Sequence, residues 1–245
     1  MLRRRASESP ERPAYTFLTA GEIESGRLTW GELEARARGV AAALAAVASP
    51  GERALLLYPP GLDFVVAFFG CLYAGVVAVP AYPPRPNDRR QERLLSIVRD
   101  ARPKVALATR DVLSALAKGA DGGIAAALPE LAALSYLATD ELAAADETVE
   151  LPRPAAEALA FLQYTSGSTS TPKGVCVTHG NLAHNERMIR AAFAQDEDSV
   201  VVGWLPLYHD MGLIGNVLQP LACGGRCVLM SPVAFLQRPR RWLEA

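Results

Sequence analysis

The chain has 245 residues, half of them hydrophobic, and its 25 Lys and Arg against 26 Asp and Glu leave a formal charge of -1. This composition supports one large domain or two small ones, each with a real core, and excludes an intrinsically disordered chain. A charge so near zero provides no global field for nucleic acid or an anionic membrane, so partners must be recognised at local sites.

In chain order, the basic N-terminus "MLRRRASESPERP" lacks the apolar stretch and small-residue cleavage site of a secretory signal and is expected to be a frayed arm. "TWGE" has capping-box spacing from Thr29 to Glu32 and opens a helix through "LEARARGVAAALAAV". "RALLLY" follows as a buried strand. The segment from Phe64 to Tyr82 is uncharged over nineteen residues, formally enough to span a bilayer. Its two glycines and Pro80 point instead to a buried helix, with Asp63 as N-cap and an end near Gly75, and then a buried strand over 76–79. No membrane span is expected. Past the break at "AYPPRPN", "DRRQERLLSIVRDA" reads as an amphipathic helix with Leu94, Leu95 and Val98 on one face, and "KVALAT" as the next strand.

From Asp111 to Asp146 the chain is rich in alanine and leucine, and only a strand at "LSYLA" and a capped short helix at "TDELAAA" stand out. "ETVELPRPAAE" collects prolines and charges, which marks a boundary between a first α/β subdomain over 1–150 and the start of a second over 151–245. Beyond it come a strand at "LAFLQY", a strand at "VCVTH", a helix "NLAHNERMIRAAFA" capped by Asn181, and a strand at "SVVVGWLPL". A helix at "GLIGNVLQPLA", a strand at "RCVLM" and a helix beginning in "RPRRWLEA" complete the chain. Alternating strands and helices define an α/β class, layered α/β/α, with mostly parallel sheets. Cys71, Cys176, Cys223 and Cys227 are scattered in apolar surroundings, unlike a disulfide framework, and fit a reducing cytoplasm.

The run "YTSGSTSTPKG", from Tyr164, joins two strand-like segments only a few residues apart, which is hairpin geometry rather than a linker. Small and hydroxylic residues let the backbone approach a ligand and turn several N–H groups inward as an anion-binding concavity, and Lys173 supplies compensating charge. The P-loop pattern G-x-x-x-x-G-K-S/T is nearly met, but Pro172 replaces the second glycine and cannot donate an N–H. Gly174 also brings no hydroxyl to a metal, and a strand follows where a P-loop has a helix. Taken alone, the run would also suit a polar surface hairpin without a ligand.

His209 and Asp210 in "LYHDMG" could suggest a metal pair, but the other two histidines, His179 and His184, offer no evident completing set, and no metal site is assigned. Asp210 reads as the N-cap of a helix beginning near Met211. Cys223 and Cys227 have no second ligand pair and read as small core residues beside the "GG" turn. "RPRRWLEA", without a basic charge balance or an aromatic series, reads as a solvated helix start and not a nucleic-acid patch.

The twenty residues "QYTSGSTSTPKGVCVTHGNL" closely resemble the phosphate-loop signature of the AMP-forming acyl and aminoacyl ligases, the adenylate-forming superfamily. "WLPLYHDMGLIGNVLQPLACGGRCVLMSP" resembles the next family motif, and its "PLYHDMGLIG" core is similar to the fatty acyl-AMP ligase branch. So are "LTWGELEARARGVAAAL", "LLLYPPGLDFVVAFFGCLYAGVVAVPAYPP" and "RLLSIVRDARPKVALAT", so the resemblance covers nearly the whole chain. Ser170, where much of the superfamily has glycine, is familiar in that branch. The resemblance implies the N-terminal portion of an enzyme that uses ATP and Mg²⁺ to adenylate a fatty acid and passes the acyl group to an acyl carrier protein. It implies that Thr165, Ser166, Gly167, Ser168, Thr169 and Lys173 hold the β- and γ-phosphates and that His209 lies near the acyl carboxylate. The adenine pocket, the ribose-binding aspartate and a C-terminal catalytic lysine would follow residue 245. An acyl-CoA ligase and a non-catalytic module with half an adenylating fold are the alternatives.

Overall fold

In the computed structural model, residues 1–84, 91–117, 129–146, 148–165 and 172–245 are described. The N-terminal segment is not a frayed arm: Leu2–Glu8 forms a helix, α1, that buries Leu2 against the next helix. An antiparallel hairpin follows, β1 (Pro13–Thr19) and β2 (Ile23–Thr29). The capping box is closed in both directions: Thr29 Oγ1 accepts from the Glu32 N–H at 3.2 Å, and the Glu32 carboxylate accepts from the Thr29 N–H at 2.8 Å. There α2 (Trp30–Ala45) begins.

Next come β3 (Arg53–Leu57), α3 (Leu62–Ala74), β4 (Val77–Ala81), α4 (Gln91–Ala101) and β5 (Val105–Ala108). Gly61, not Asp63, caps α3, and Asp63 in its first turn pairs with Arg36 at 2.9 Å. The helix does end at Gly75, whose φ of 69° is the left-handed conformation that glycine adopts without strain. Among the described residues, no helix is long and apolar enough to cross a membrane.

Two short helices, α5 (Arg110–Ala117) and α6 (Pro129–Ala132), precede β6 (Ser135–Ala138). The segment "TDELAAA" is a single 3₁₀ turn, Thr139–Glu141, without a side-chain cap, because Asp140 accepts instead from the Arg110 N–H at 2.8 Å. The chain continues through β7 (Leu159–Thr165), β8 (Lys173–Thr178), α7 (His179–Phe193) and β9 (Val200–Gly203). Thr178 caps α7, and Asn181 is the third helical residue that completes its capping box.

The helix over 210–223, α8, has three pieces: Asp210–Leu213, a π-turn Ile214–Leu218, and Gln219–Cys223. Pro220 cannot donate to the helical ladder, and the Tyr15 hydroxyl donates to the Val217 carbonyl at 2.5 Å. Then follow β10 (Arg226–Met230), α9 (Pro232–Gln237) and α10 (Arg240–Glu244). The arginines near α10 are paired within the chain, Arg241 with Glu22 at 2.8 Å and Arg240 with Glu244 at 2.6 Å.

Two sheets result, one in the order β2-β1-β10-β9, the other β6-β5-β3-β4-β7-β8, parallel except for the β1/β2 and β7/β8 pairs. Each sheet draws strands from both sides of residue 150. Successive residues of a strand face opposite ways, so Ala54 and Leu56 of β3 enter the core shared with α2, α3 and the smaller sheet, while Leu55 and Leu57 pack towards α4. That burial on both faces is why the stretch after Arg53, "ALLLY", has no charged residue.

Candidate active site

The larger sheet places the carboxyl ends of β4 and β7 side by side. Ala78↔Phe161 is their registered pair, and the residues that follow it on both strands, Pro80 to Tyr82 and Gln163 to Thr165, wall a cavity of about 300 Å³. The chain leaves these two neighbouring strands in opposite directions: β4 leads back to β5, beyond β3, and β7 leads outward to β8 at the sheet's edge. Crevices at such reversals, outside the carboxyl ends of parallel strands, are where open α/β sheets bind ligands. The segment 208–210 closes another wall, and Arg93 and Ile97 of α4 a third.

Gln163 ties two of these walls together. It is 6% exposed, and its Nε2 donates to the Tyr208 carbonyl at 3.0 Å, which fixes the segment carrying His209 against β7. Its Oε1 has no partner among the described residues and stands ready to accept from a ligand or water. Tyr82 and Tyr208 meet with ring centroids 5.9 Å apart. Neither Gln163 nor Tyr208 was a sequence-predicted site residue; the signal was a glutamine interrupting an otherwise apolar strand, "LAFLQY".

His209 is itself the N-cap of α8 by position, and Asp210 is its first helical residue, so the helix starts one residue earlier than Asp210-capping implied. The Leu213 N–H donates to the His209 carbonyl at 2.8 Å, and His209 Nδ1 lies against the Asp210 carboxylate. Its side chain is 65% exposed on the cavity wall. Thr165 lines the same cavity. Lys173 is its registered partner across the β7/β8 hairpin, exposed at the mouth of the loop. The structure therefore brings Thr165 and His209 to one cavity and sets Lys173 opposite Thr165. Ser166, Gly167, Ser168 and Thr169 lie outside the described residues.

The hairpin is anchored from behind. The Tyr164 hydroxyl donates to the Asp100 carboxylate of α4, and burial together with that carboxylate pushes the phenol well above its ordinary pKa. The donor set at the mouth, a threonine hydroxyl, a lysine ammonium and an imidazole, is suited to phosphate oxygens and carboxylates. Among the described residues no group of three His, Cys, Asp or Glu could hold a metal ion, so a Mg²⁺ here would take most of its oxygens from nucleotide phosphates and water.

The chain is 42% identical over its whole length to the medium-chain fatty acid acyl-carrier-protein ligase JamA of Moorena producens and covers 41% of that protein. It is 39% identical to a long-chain fatty acid AMP ligase of Mycobacterium tuberculosis, again over all of this chain and 42% of the relative. Among solved structures, the fatty acyl-adenylate ligase of L. pneumophila in complex with acyl adenylate and pyrophosphate superposes with a TM-score of 0.86 at 37% identity, over 99% of this chain and 41% of the other. The chain thus spans about two fifths of the length of these relatives. Residues 2–245 match the AMP-binding enzyme family, and the chain belongs to that family.

Proposed function

We propose that this chain supplies the phosphate-loop part of an ATP-dependent fatty acyl-AMP ligase, which adenylates a fatty acid and transfers it to the phosphopantetheine of an acyl carrier protein. The single observation that supports it most is the facing pair of Thr165 and Lys173 on a hairpin beside the His209 cavity. The fatty acid and carrier-protein names of the relatives point the same way. A cytoplasmic enzyme at the loading end of a polyketide or peptide assembly line suits such an activity.

In this reading Thr165, Ser166, Gly167, Ser168, Thr169 and Lys173 hold the β- and γ-phosphates of ATP, while His209 orients the fatty carboxylate towards the α-phosphate. Attack of the carboxylate oxygen on that phosphorus forms the acyl phosphate bond and releases pyrophosphate. Mg²⁺, carried by the phosphates, supplies further charge neutralisation. The chain's own work is positioning: two anions must be brought together, and fixed donors offset the charge that builds on the leaving group. Gln163 holds the His209 segment and the hairpin at a constant separation through its bond to Tyr208.

The test is mass-spectrometric detection of acyl-AMP after incubation with Mg-ATP and a medium-chain fatty acid, with CoA or a holo carrier protein in parallel tubes. Both this chain and a polypeptide continued to the length of the relatives are assayed. Acyl-AMP that passes only to the carrier supports the proposal. Transfer to CoA makes it an acyl-CoA ligase, and no acyl-AMP from the continued polypeptide makes it a non-catalytic module.

A further inference from the structure

Helix α4 follows β4 and leads back to the start of β5, so its first turn stands at the carboxyl end of the sheet, beside the candidate active site. Its apolar stripe, Leu94, Ile97, Val98 and Ala101, is buried in the core on that side. Arg93 sits at the edge of the stripe, one turn before Ile97, and both line the cavity. Long helical side chains lean towards the helix N-terminus, which carries this guanidinium to the cavity and not over the sheet.

Arginines elsewhere in the chain are matched. Arg99 on the same helix pairs with Glu130, Arg110 with Glu141 and Arg36 with Asp63, while Arg53 donates to the carbonyls of Ala101 and Arg102 that end α4. Arg93 is half-buried, and its Nη2 donates only at 3.5 Å to the Tyr164 carbonyl, with no ion pair to a described carboxylate. Asp210, the one carboxylate of the described lining, belongs to another wall, where His209 Nδ1 and the Met211 N–H both meet its Oδ1. Gln163 Oε1, without a partner among the described residues, is an acceptor and offers an anion nothing. Arg93 is therefore the one permanent cation of the described lining, partly withdrawn from water and lacking a counter-ion. A charge so placed calls for an anionic ligand.

Placement and chemistry decide which anion. The bond to the Tyr164 carbonyl ties the guanidinium to the base of the hairpin, one residue before Thr165, whereas His209 stands on the wall built by 208–210. In the ligase reading, on which this inference rests, the hairpin holds the leaving phosphates and His209 the carboxylate, so the phosphorus under attack lies between them. A planar fork of N–H donors matches two non-bridging phosphate oxygens. The same fork on the fatty carboxylate would occupy the lone pairs that must attack. We propose that Arg93 is a catalytic residue that binds the α-phosphate of ATP. It holds the non-bridging oxygens while the carboxylate oxygen bonds to phosphorus and the bond to pyrophosphate breaks, and then keeps the phosphate of acyl-AMP. No proton moves in this step.

The test uses the polypeptide continued to the length of the relatives and its Arg93→Gln variant, whose amide can still donate to the Tyr164 carbonyl but carries no charge. Calorimetric titration of AMP and of adenosine separates the phosphate from the rest of the nucleotide. AMP should bind the variant about tenfold or more weakly, and adenosine within about twofold of the parent. Acyl-AMP formation at saturating Mg-ATP should slow about a hundredfold, with the KM for decanoate within about threefold. Equal losses for AMP and adenosine would make Arg93 a structural support of the hairpin and overturn the proposal. Unchanged AMP affinity, or a loss confined to the KM for the acid, overturns it too. Should Arg93→Gln fail to fold, phenylglyoxal labelling of the unmodified polypeptide, read by peptide mass spectrometry, decides: AMP but not adenosine should shield Arg93, and labelling indifferent to AMP overturns the proposal. Shielding by AMP without any acyl-AMP formation would sink the ligase reading and leave the phosphate contact standing, whereas a polypeptide that binds neither nucleotide overturns both.

Discussion

Tyr164 and Gly174 face each other across the β7/β8 hairpin at a separation that only glycine permits: a Cβ on residue 174 would come within 2.9 Å of the Tyr164 ring. The ring must lie there because its hydroxyl reaches Asp100 on α4. Gly174→Ala therefore pushes the ring off its seat and breaks the anchor behind the loop. Overpacking of this kind typically destabilises by about 1–3 kcal/mol. Thermal unfolding should show that loss, and Tyr164→Phe, which removes only the hydroxyl, should show a smaller one. An unchanged midpoint in Gly174→Ala would refute the anchoring role.

Lys173 is exposed and its side chain has no hydrogen-bond or ion-pair partner among the described residues, so Lys173→Ala should leave the unfolding midpoint within a degree or two. Under the proposed function its effect belongs to the chemistry. Loss of one preorganised donor at a charged transition state lowers turnover by about a hundred- to a thousandfold, roughly 3 kcal/mol. The measurement is the initial rate of acyl-AMP formation in a polypeptide that performs the reaction, and a rate within threefold of the parent would remove Lys173 from the site.

Glu186 should make stability depend on pH in the direction opposite to a salt-bridged carboxylate. Its folded pKa of about 8 lies above the ordinary 4.5, so between those values the folded chain holds a proton that the unfolded chain has released. Its contribution is then greatest below the lower value and is lost as pH rises through the higher. The groups around it, Arg3, Arg153, His179, Tyr73 and Gln219, remain in a Glu186→Gln variant and cancel in the comparison. Urea unfolding at pH 6 and pH 9 should show the parent losing more than about 1 kcal/mol relative to that variant. Parallel pH curves would contradict a buried, protonated Glu186.

Thr29→Ala removes one half of the capping box at the start of α2, the helix packed between the two sheets. A loss of about 1 kcal/mol is expected, and restoration by Thr29→Ser would assign it to the cap and not to the methyl group.

Elements whose apolar pattern is set by their own neighbours were legible in the sequence. "RALLLY" and "FVVAFFGCLYAGVV" announce a strand and a helix because both are buried on every side. The β7/β8 hairpin was legible too, since strand-like runs flank a short polar stretch. β1 and β2 were not, because β2 is mostly exposed and β1 owes its place to β10, far away in sequence. Helix α1 is held by Leu2, and a single buried residue makes no period. Cap positions shifted by a few residues where side chains found other work: Asp140 serves the Arg110 N–H, and Asn181 answers Thr178 instead of capping alone. Thr165 and His209 were marked by motif, but the Gln163 bond that joins their walls depends on a backbone carbonyl forty-five residues away and has no sequence pattern of its own.

The pairing of β1 with β10 sets the order in which this chain can be completed on the ribosome. Tyr15 waits for Cys227, so the β1 side that will receive β10 stays an open edge while about two hundred further residues are made. Contacts of such long range form late and slowly, and unpaired edges are where nascent chains stick to one another. The larger sheet, whose last strand ends at Thr178, can close much sooner. Any shortening of the chain before Arg226 would leave the hairpin's edge permanently unpaired, and the expected symptom is aggregation during synthesis rather than a soluble protein with a damaged site.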